Sequence, residues 1–257
     1  MRVYPARSAG RVWPRPSPSL ITTQDIDLST LPAEDYAAGG DGAYILGGLG
    51  INVLNAANAS ILGLDGATGL RMQASSGAWG AAPWTAPLVH LPITTLAPDY
   101  TFGDLLRIWL HMEWSADTTI NGQGAGFGVQ FDNTFTGARN GCVVRHIHNT
   151  LQSKIQIQRP PNGTTVSTTV NMREVYMFEF SGLTGRFGHS ASYSSDFPLV
   201  SALSTLFDEF SADTVLPAVA NGFSSSDDFV FWKEEGGAGA DIIGTLARLK
   251  VEHQQRG

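Results

Sequence analysis

The residues of this 257-residue chain whose types and spacing could do chemistry are its carboxylates, its closely spaced histidines and its tryptophans. Two carboxylates facing each other across a sugar can divide the acid and nucleophile roles of glycoside cleavage. On a strand this requires acidic residues at alternating positions. No such cluster occurs. Glu113 stands alone in its stretch, Glu174 and Glu179 are five apart and fall on opposite faces of a regular strand, and Glu234-Glu235 precede a Gly-rich turn suited to a solvated loop. His146 and His148 are two apart, share a strand face and have the spacing of two metal ligands, with His111 a candidate third. The same pattern serves polar groups on a solvent or subunit face, and no metal or cofactor is assigned. Asp132-Asn133 with Asn140 is a thin version of a calcium-binding oxygen set. The run Gly122 to Gly128 lacks the Lys-Ser/Thr and the helix of a phosphate loop. No Gly-x-Ser-x-Gly elbow occurs. The lone cysteine, Cys142, lies beside Val143 and Val144, which suits a buried thiol and excludes an internal disulfide. These residues point away from an enzyme.

The tryptophans say more. Trp79 and Trp84 lie among Gly77, Gly80 and Pro83, while Trp109 and His111 occupy the more polar face of the strongest strand pattern. Side chains so placed can contact a glycan or fill a subunit interface. Burial in the core is the competing use of each tryptophan.

These residues must be positioned by strands. Leu106, Ile108, Leu110, Met112 and Trp114 alternate with Arg107, Trp109, His111 and Glu113, so Leu105 to Trp114 is a strand with one core face and one at least partly wet face. Further strands are expected at Phe127–Phe131, Gly141–His148, Lys154–Gln158, Val175–Phe180, Gly188–Tyr193, Phe229–Lys233 and Gly244–His253. Turn signals such as Asp65-Gly66, Asn121-Gly122 and Asn162-Gly163 separate the apolar stretches. One segment differs: Leu199, Leu203, Leu206, Phe207 and Phe210 recur at helical spacing behind Pro198, which predicts one short amphipathic helix over about 198–211.

Composition agrees with a sheet protein, at 42% hydrophobic and 15% charged residues. A net charge of −7 argues against nucleic acid as a partner. The charge is uneven. Arg2, Arg7, Arg11 and Arg15 precede the first acidic residue, Asp25, in a segment whose Pro5, Pro14, Pro16 and Pro18 forbid a helix. Residues 1–24 therefore read as an extended anchoring arm and 25–257 as a single β-sandwich domain. No apolar run reaches the roughly 18 residues of a membrane span, so membrane insertion is not expected. The arm lacks the apolar stretch of a secretory leader, which fits synthesis in a cytoplasm.

The segment Gly39 to Leu70, GGDGAYILGGLGINVLNAANASILGLDGATGL, resembles the opening of concanavalin A-like jelly-roll domains of tailed-bacteriophage virion structural proteins. The resemblance continues through Leu105–Trp114, the Gly-rich stretch Asn121–Gly128 and the closing Leu246–Glu252. It implies an all-β jelly-roll sandwich of two antiparallel sheets, a fold shared by lectins and glucanases. It further implies a virion structural protein, made in the host cytoplasm, serving as a fibre, tail or head-decoration module. Arg2, Arg7, Arg11, Trp13 and Arg15 would then contact other virion proteins or copies of the chain, with a homotrimer the expected assembly and host surface glycan a candidate ligand. A stand-alone lectin-like protein and a glycan hydrolase of the same fold are the alternatives.

Overall fold

The computed structural model describes residues 19–77, 84–101, 103–115, 125–132, 143–149, 152–158, 166–169, 173–181, 184–190, 196–211, 228–234 and 243–256. In chain order the elements are β1 (Ile21–Asp27), β2 (Glu34–Asp35), α1 (Tyr36–Gly39), β3 (Gly42–Leu46), β4 (Leu49–Leu54), β5 (Ala59–Leu64), β6 (Leu70–Ala74) and β7 (Leu88–Pro92). There follow α2 (Ile93–Leu96), β8 (Leu105–Trp114), β9 (Ala125–Asp132), β10 (Val143–Asn149), β11 (Gln152–Gln158) and β12 (Val166–Thr169). The chain closes with β13 (Arg173–Ser181), β14 (Thr184–Ser190), β15 (Ser204–Ser211), β16 (Asp228–Glu234) and β17 (Gly244–Gln254).

Two antiparallel sheets pack face to face. The first has the order β15-β14-β13-β8-β17-β6-β5-β2, with β1 added beside β17; the second runs β12-β11-β10-β9-β16-β7-β4-β3. The chain crosses repeatedly from one sheet to the other, which gives the jelly-roll sandwich its two-layer core. Alternation along the strands fills that core. Leu106, Ile108, Leu110 and Met112 of β8 meet Tyr176, Phe178 and Phe180 of β13 and Phe229 and Phe231 of β16, all essentially inaccessible to water. Each such side chain contributes on the order of 2–3 kcal/mol by leaving water.

The most connected strand is β17. It pairs with β8 along its whole length, with β6 over Gly244–Leu246 and with β1 over Arg248–His253, so that β6 and β1 lie end to end along one side of it. A register shift between Leu246 and Arg248 inserts Ala247 as a bulge. This turns Leu246, Leu249 and Val251 all to the core and leaves Arg248, Lys250 and Glu252 on the other face. Gly69, at φ 125°, lies directly against the Leu246 carbonyl, where a Cβ would collide with backbone.

Sheet pairing starts at Ile21, so the expected division between arm and body at 24/25 falls inside β1. Arg248 holds Asp25 through two 2.9 Å hydrogen bonds, and the Thr23 hydroxyl donates to the Leu96 and Val251 carbonyls. Arg2, Arg7, Arg11, Trp13 and Arg15 lie outside the described residues.

The helix expected over 198–211 is not formed. Val200–Ala202 makes a single 3-10 turn, and Ser204–Ser211 is the strand β15. The cause is visible in its pairing with β14, whose register shifts between Gly185 and Phe187 and again between Phe187 and Gly188. Two irregularities interrupt the two-residue alternation, and the apolar spacing that results imitates a helical period.

Candidate functional site

The polar face of the first sheet carries the candidate site, and the register builds it. Gly63 of β5 stands opposite Arg71 of β6, Arg71 opposite Thr245 of β17, Thr245 opposite Glu113 of β8, and Glu113 opposite Arg173 of β13. Directly opposed residues of antiparallel strands share a face, so five strands contribute to one transverse row. The row from Arg71 to Arg173 floors a groove of about 380 Å³ lined also by Asp65, Thr68, Ser115 and Ile243.

Its charges are paired before any ligand arrives. Arg173 Nε lies 3.1 Å from Glu113 Oε2, and Arg71 Nη1 lies 3.6 Å from Asp65 Oδ2. Asp65 also accepts from the backbone N–H groups of Ala67, Thr68 and Gly69 and from the Thr68 hydroxyl. Burial opposes ionisation of Asp65, but the hydrogen bonds from Thr68, Ala67 and Gly69 outweigh it and hold the carboxyl far below its ordinary range. A general acid needs the opposite shift. The groove therefore presents hydroxyls, guanidinium donors and carboxylate acceptors suited to holding a polyhydroxylated ligand, with Asp65 committed to its own turn.

Further along the same face lies a denser network. Arg107 bridges Glu179 at 2.6 Å and Glu252 at 3.2 Å, while Trp109 Nε1–H and Lys250 donate to Glu252 at 3.0 and 2.8 Å. Burial works against the Glu252 charge, and the hydrogen bonds from Lys250, Trp109 and Arg107 reverse that effect and lower its pKa. Here two carboxylates do come together, yet both are engaged by the arginine between them.

This second region is covered. Phe197, Val200 and Leu203 pack on Trp109, Val175 and Met177. The Phe197 ring sits 5.6 Å from Trp109, 4.3 Å from His111 and 4.9 Å from the Arg248 guanidinium. Trp109 and His111, expected on a partly wet face as glycan or interface contacts, are each only 3% exposed. Trp84 is 5% exposed, in a small cluster with Ala86, Leu88, Val230 and Trp232. All three are corrected from contact residues to packing residues, because cover arrives from segments far away in sequence. Trp79 lies outside the described residues.

His111 beneath Phe197 has a measurable consequence. Burial and the neighbouring Arg248 push its pKa down to about 4 from 6.5, against the pull of Asp27 and Asp25. Between those values the unfolded chain binds the proton that the fold refuses, so stability falls as pH drops from 6.5 to 4, by roughly 3 kcal/mol in all. Urea midpoints measured across this window should fall less steeply in His111→Gln than in the parent chain; equal slopes would refute the assignment.

The register places His146 opposite Phe127 and Ile155, and His148 opposite Ala125 and Ser153. Among the described residues no three His, Cys, Asp or Glu side chains converge as a metal-binding group. Among the described residues, three histidine–carboxylate pairs went unseen in the sequence: His90–Asp228 at 2.6 Å, His189–Glu174 at 3.3 Å and His253–Asp104 at 3.0 Å. Each joins residues with no local signal, and only the sheet register brings them together. No described helix is long and apolar enough to cross a membrane.

No family model matches the chain, and no curated protein matches it in sequence. Among solved structures the chain is similar to the endo-1,3-beta-glucanase from Streptomyces sioyaensis, with TM-score 0.49 and 13% identity over 95% of this chain and all of that one. It is similar to the CBM2 module of the evolved Dit of Lactobacillus casei BL23 phage J-1, with TM-score 0.46 and 7% identity over 94% of this chain and 99% of that one. It also resembles Bacteroides ovatus Xyloglucan PUL GH43B, with TM-score 0.45 and 11% identity over 71% of this chain; there it spans only 32% of the other protein's length.

Proposed function

We propose that this chain is a glycan-binding module of a virion surface, tethered through residues 1–20 and acting by adhesion without turnover. One observation supports the reading: the start of β1 and the groove lie at opposite ends of β17. Ile21, where the arm enters the sheet, pairs with His253, while Thr245 lies in the groove. Eight residues of extended strand separate the two by roughly 27 Å. A module held at one end and reading a surface at the other needs this polarity. The arm supplies four arginines, Trp13 and four prolines, a composition suited to extended docking on a partner.

Hydrolysis is the second reading, and the site supports it less well. Asp65 is held ionised, and Glu113 is committed to Arg173 at 3.1 Å.

The test is binding of the full chain to an array of neutral oligosaccharides, repeated with Glu113→Ala and Arg173→Ala. The expected result is retention of a glycan that either substitution weakens at least tenfold, with no release of reducing ends over hours. Unchanged binding in both variants would remove the groove from the function, and steady release of reducing ends would restore the hydrolase.

A further inference from the structure

Residues 196–203 lie as a strap over the outer face of the first sheet, next to the row that floors the groove. Phe197, Val200 and Leu203 press on Trp109, Val175 and Met177. Among the described residues the backbone hydrogen bonds of Phe197 to Leu203 stay inside the strap, from the Ala202 N–H to the Leu199 carbonyl at 2.9 Å and from the Leu203 N–H to the Val200 carbonyl at 3.2 Å. Leu199, at its crown, is 78% exposed. A segment held down by a few apolar contacts and outside any ladder belongs to the parts of a fold that open on their own.

Beneath the strap sits a titratable group. His111 is 3% exposed, with its ring 4.3 Å from the ring of Phe197. Arg248 stands directly opposite His111 in the pairing of β8 with β17, and its guanidinium lies 4.9 Å from the centre of the same phenyl ring. One aromatic side chain thus covers an imidazole and a permanent cation together. We propose that the strap is an acid-released latch: protonation of His111 lifts Phe197 from the sheet and uncovers Trp109, Val175 and Met177 while both sheets stay folded. The latch works whatever ligand the groove takes.

The charges around His111 set the direction. Arg248 on β17 opposes an imidazolium, Asp25 and Asp27 on β1 favour it, and Asp196 at the start of the strap acts on Arg248. Asp25 is itself bonded to Arg248 through two 2.9 Å hydrogen bonds. On β8 the flanking charges are engaged, Arg107 with Glu179 and Glu252, and Glu113 with Arg173 of β13. Burial is the largest influence, and with Arg248 it brings the pKa of the covered imidazole down to about 4 from 6.5. A cation under Phe197 is stripped of water beside a second cation, and Arg248 already engages the ring's attraction for positive charge. Lifting the ring returns the imidazolium to solvent. The open strap therefore binds the proton more tightly than the closed one, so opening grows as pH falls through 6.5 and levels off below 4, by roughly 20-fold between pH 7 and pH 5.

Amide hydrogen exchange of the full chain at pH 7 and pH 5, normalised at each pH to the rates of unstructured peptides, tests this alongside fluorescence of the apolar dye anilinonaphthalene sulfonate. From pH 7 to pH 5 the protection of the Ala202 and Leu203 amides should fall roughly 20-fold and dye fluorescence should rise, with the Leu110 and Leu249 amides of β8 and β17 still protected. His111→Gln should abolish both pH responses, and His111→Leu is the second neutral replacement should the glutamine variant unfold. Phe197→Ala should bind dye and lack strap protection at both pH values. Circular dichroism monitors the fold of each variant. A parent in which both readouts are flat, a neutral variant that responds to pH like the parent, or strand amides that lose protection together with the strap would each overturn the inference; the last would mean that His111 acts only through global unfolding.

Discussion

Truncating Trp109 to alanine is expected to lower the unfolding free energy by about 4 kcal/mol, within the range for deleting a buried aromatic side chain. The ring is 3% exposed, lies under Phe197, Val200 and Leu203, and donates its indole N–H to Glu252. Its removal opens a cavity between sheet and covering segment and leaves Glu252 with one charge-directed hydrogen bond fewer. Trp109→Phe separates these effects. It keeps most of the packing and should cost only about 1.5–3 kcal/mol, the worth of a hydrogen bond to a charged group. Urea denaturation of both variants decides the matter: a cost below about 1.5 kcal/mol for the alanine variant would mean that the covering segment contributes little to the fold.

The second large effect is expected at Asp104, 2% exposed at the start of β8. One of its oxygens accepts from the Thr101 backbone N–H at 3.0 Å, the Thr101 hydroxyl at 2.9 Å and His253 at 3.0 Å; the other accepts from the Arg256 backbone at 2.9 Å. Asp104→Ala strands these donors in a closed site and should cost about 3–5 kcal/mol. The carboxylate also sets an acid limit. Burial raises its pKa, but the hydrogen bonds from Arg256, His253 and Thr101 prevail and bring it down to about 2 from 3.8. Its contribution is complete above pH 3.8 and is lost as pH falls toward 2, roughly 2 kcal/mol over that interval. His111 acts in a separate window, from 6.5 to 4. Stability measured against pH should therefore decline in two steps, with His111→Gln flattening the upper one and Asp104→Asn the lower. A single step removed by neither variant would contradict both assignments.

Strand positions were legible where one face is buried throughout. The alternation from Leu106 to Trp114 gave β8 with its ends in place, and the charges at Arg248, Lys250 and Glu252 marked the outward face of β17. The β14–β15 pair was misread, because two register shifts destroy the alternation on which strand recognition rests. The fate of the wet face of β8 was also hidden. Nothing near Trp109 announces that residues 197–203 will cover it, just as nothing near Glu113 announces Arg173 or Thr245. Lateral neighbours in a sheet are set by topology and register, which a local pattern does not encode.

The arrangement of β1 along β17 also fixes how the molecule carries load. Antiparallel hydrogen bonds lie across the strand direction. Tension applied between the arm at Ile21 and a ligand in the groove runs along β1 and β17 and strains the bonds of their ladder together. The Asp25–Arg248 clasp and the Thr23 hydroxyl bond to the Val251 carbonyl sit within that ladder and share the force. Tension drawn instead from Ile21 against Gln254, which lie at the same end of the ladder, would open the bonds one after another. The fold is mechanically strong along the axis from arm to groove and weak to peeling at its base.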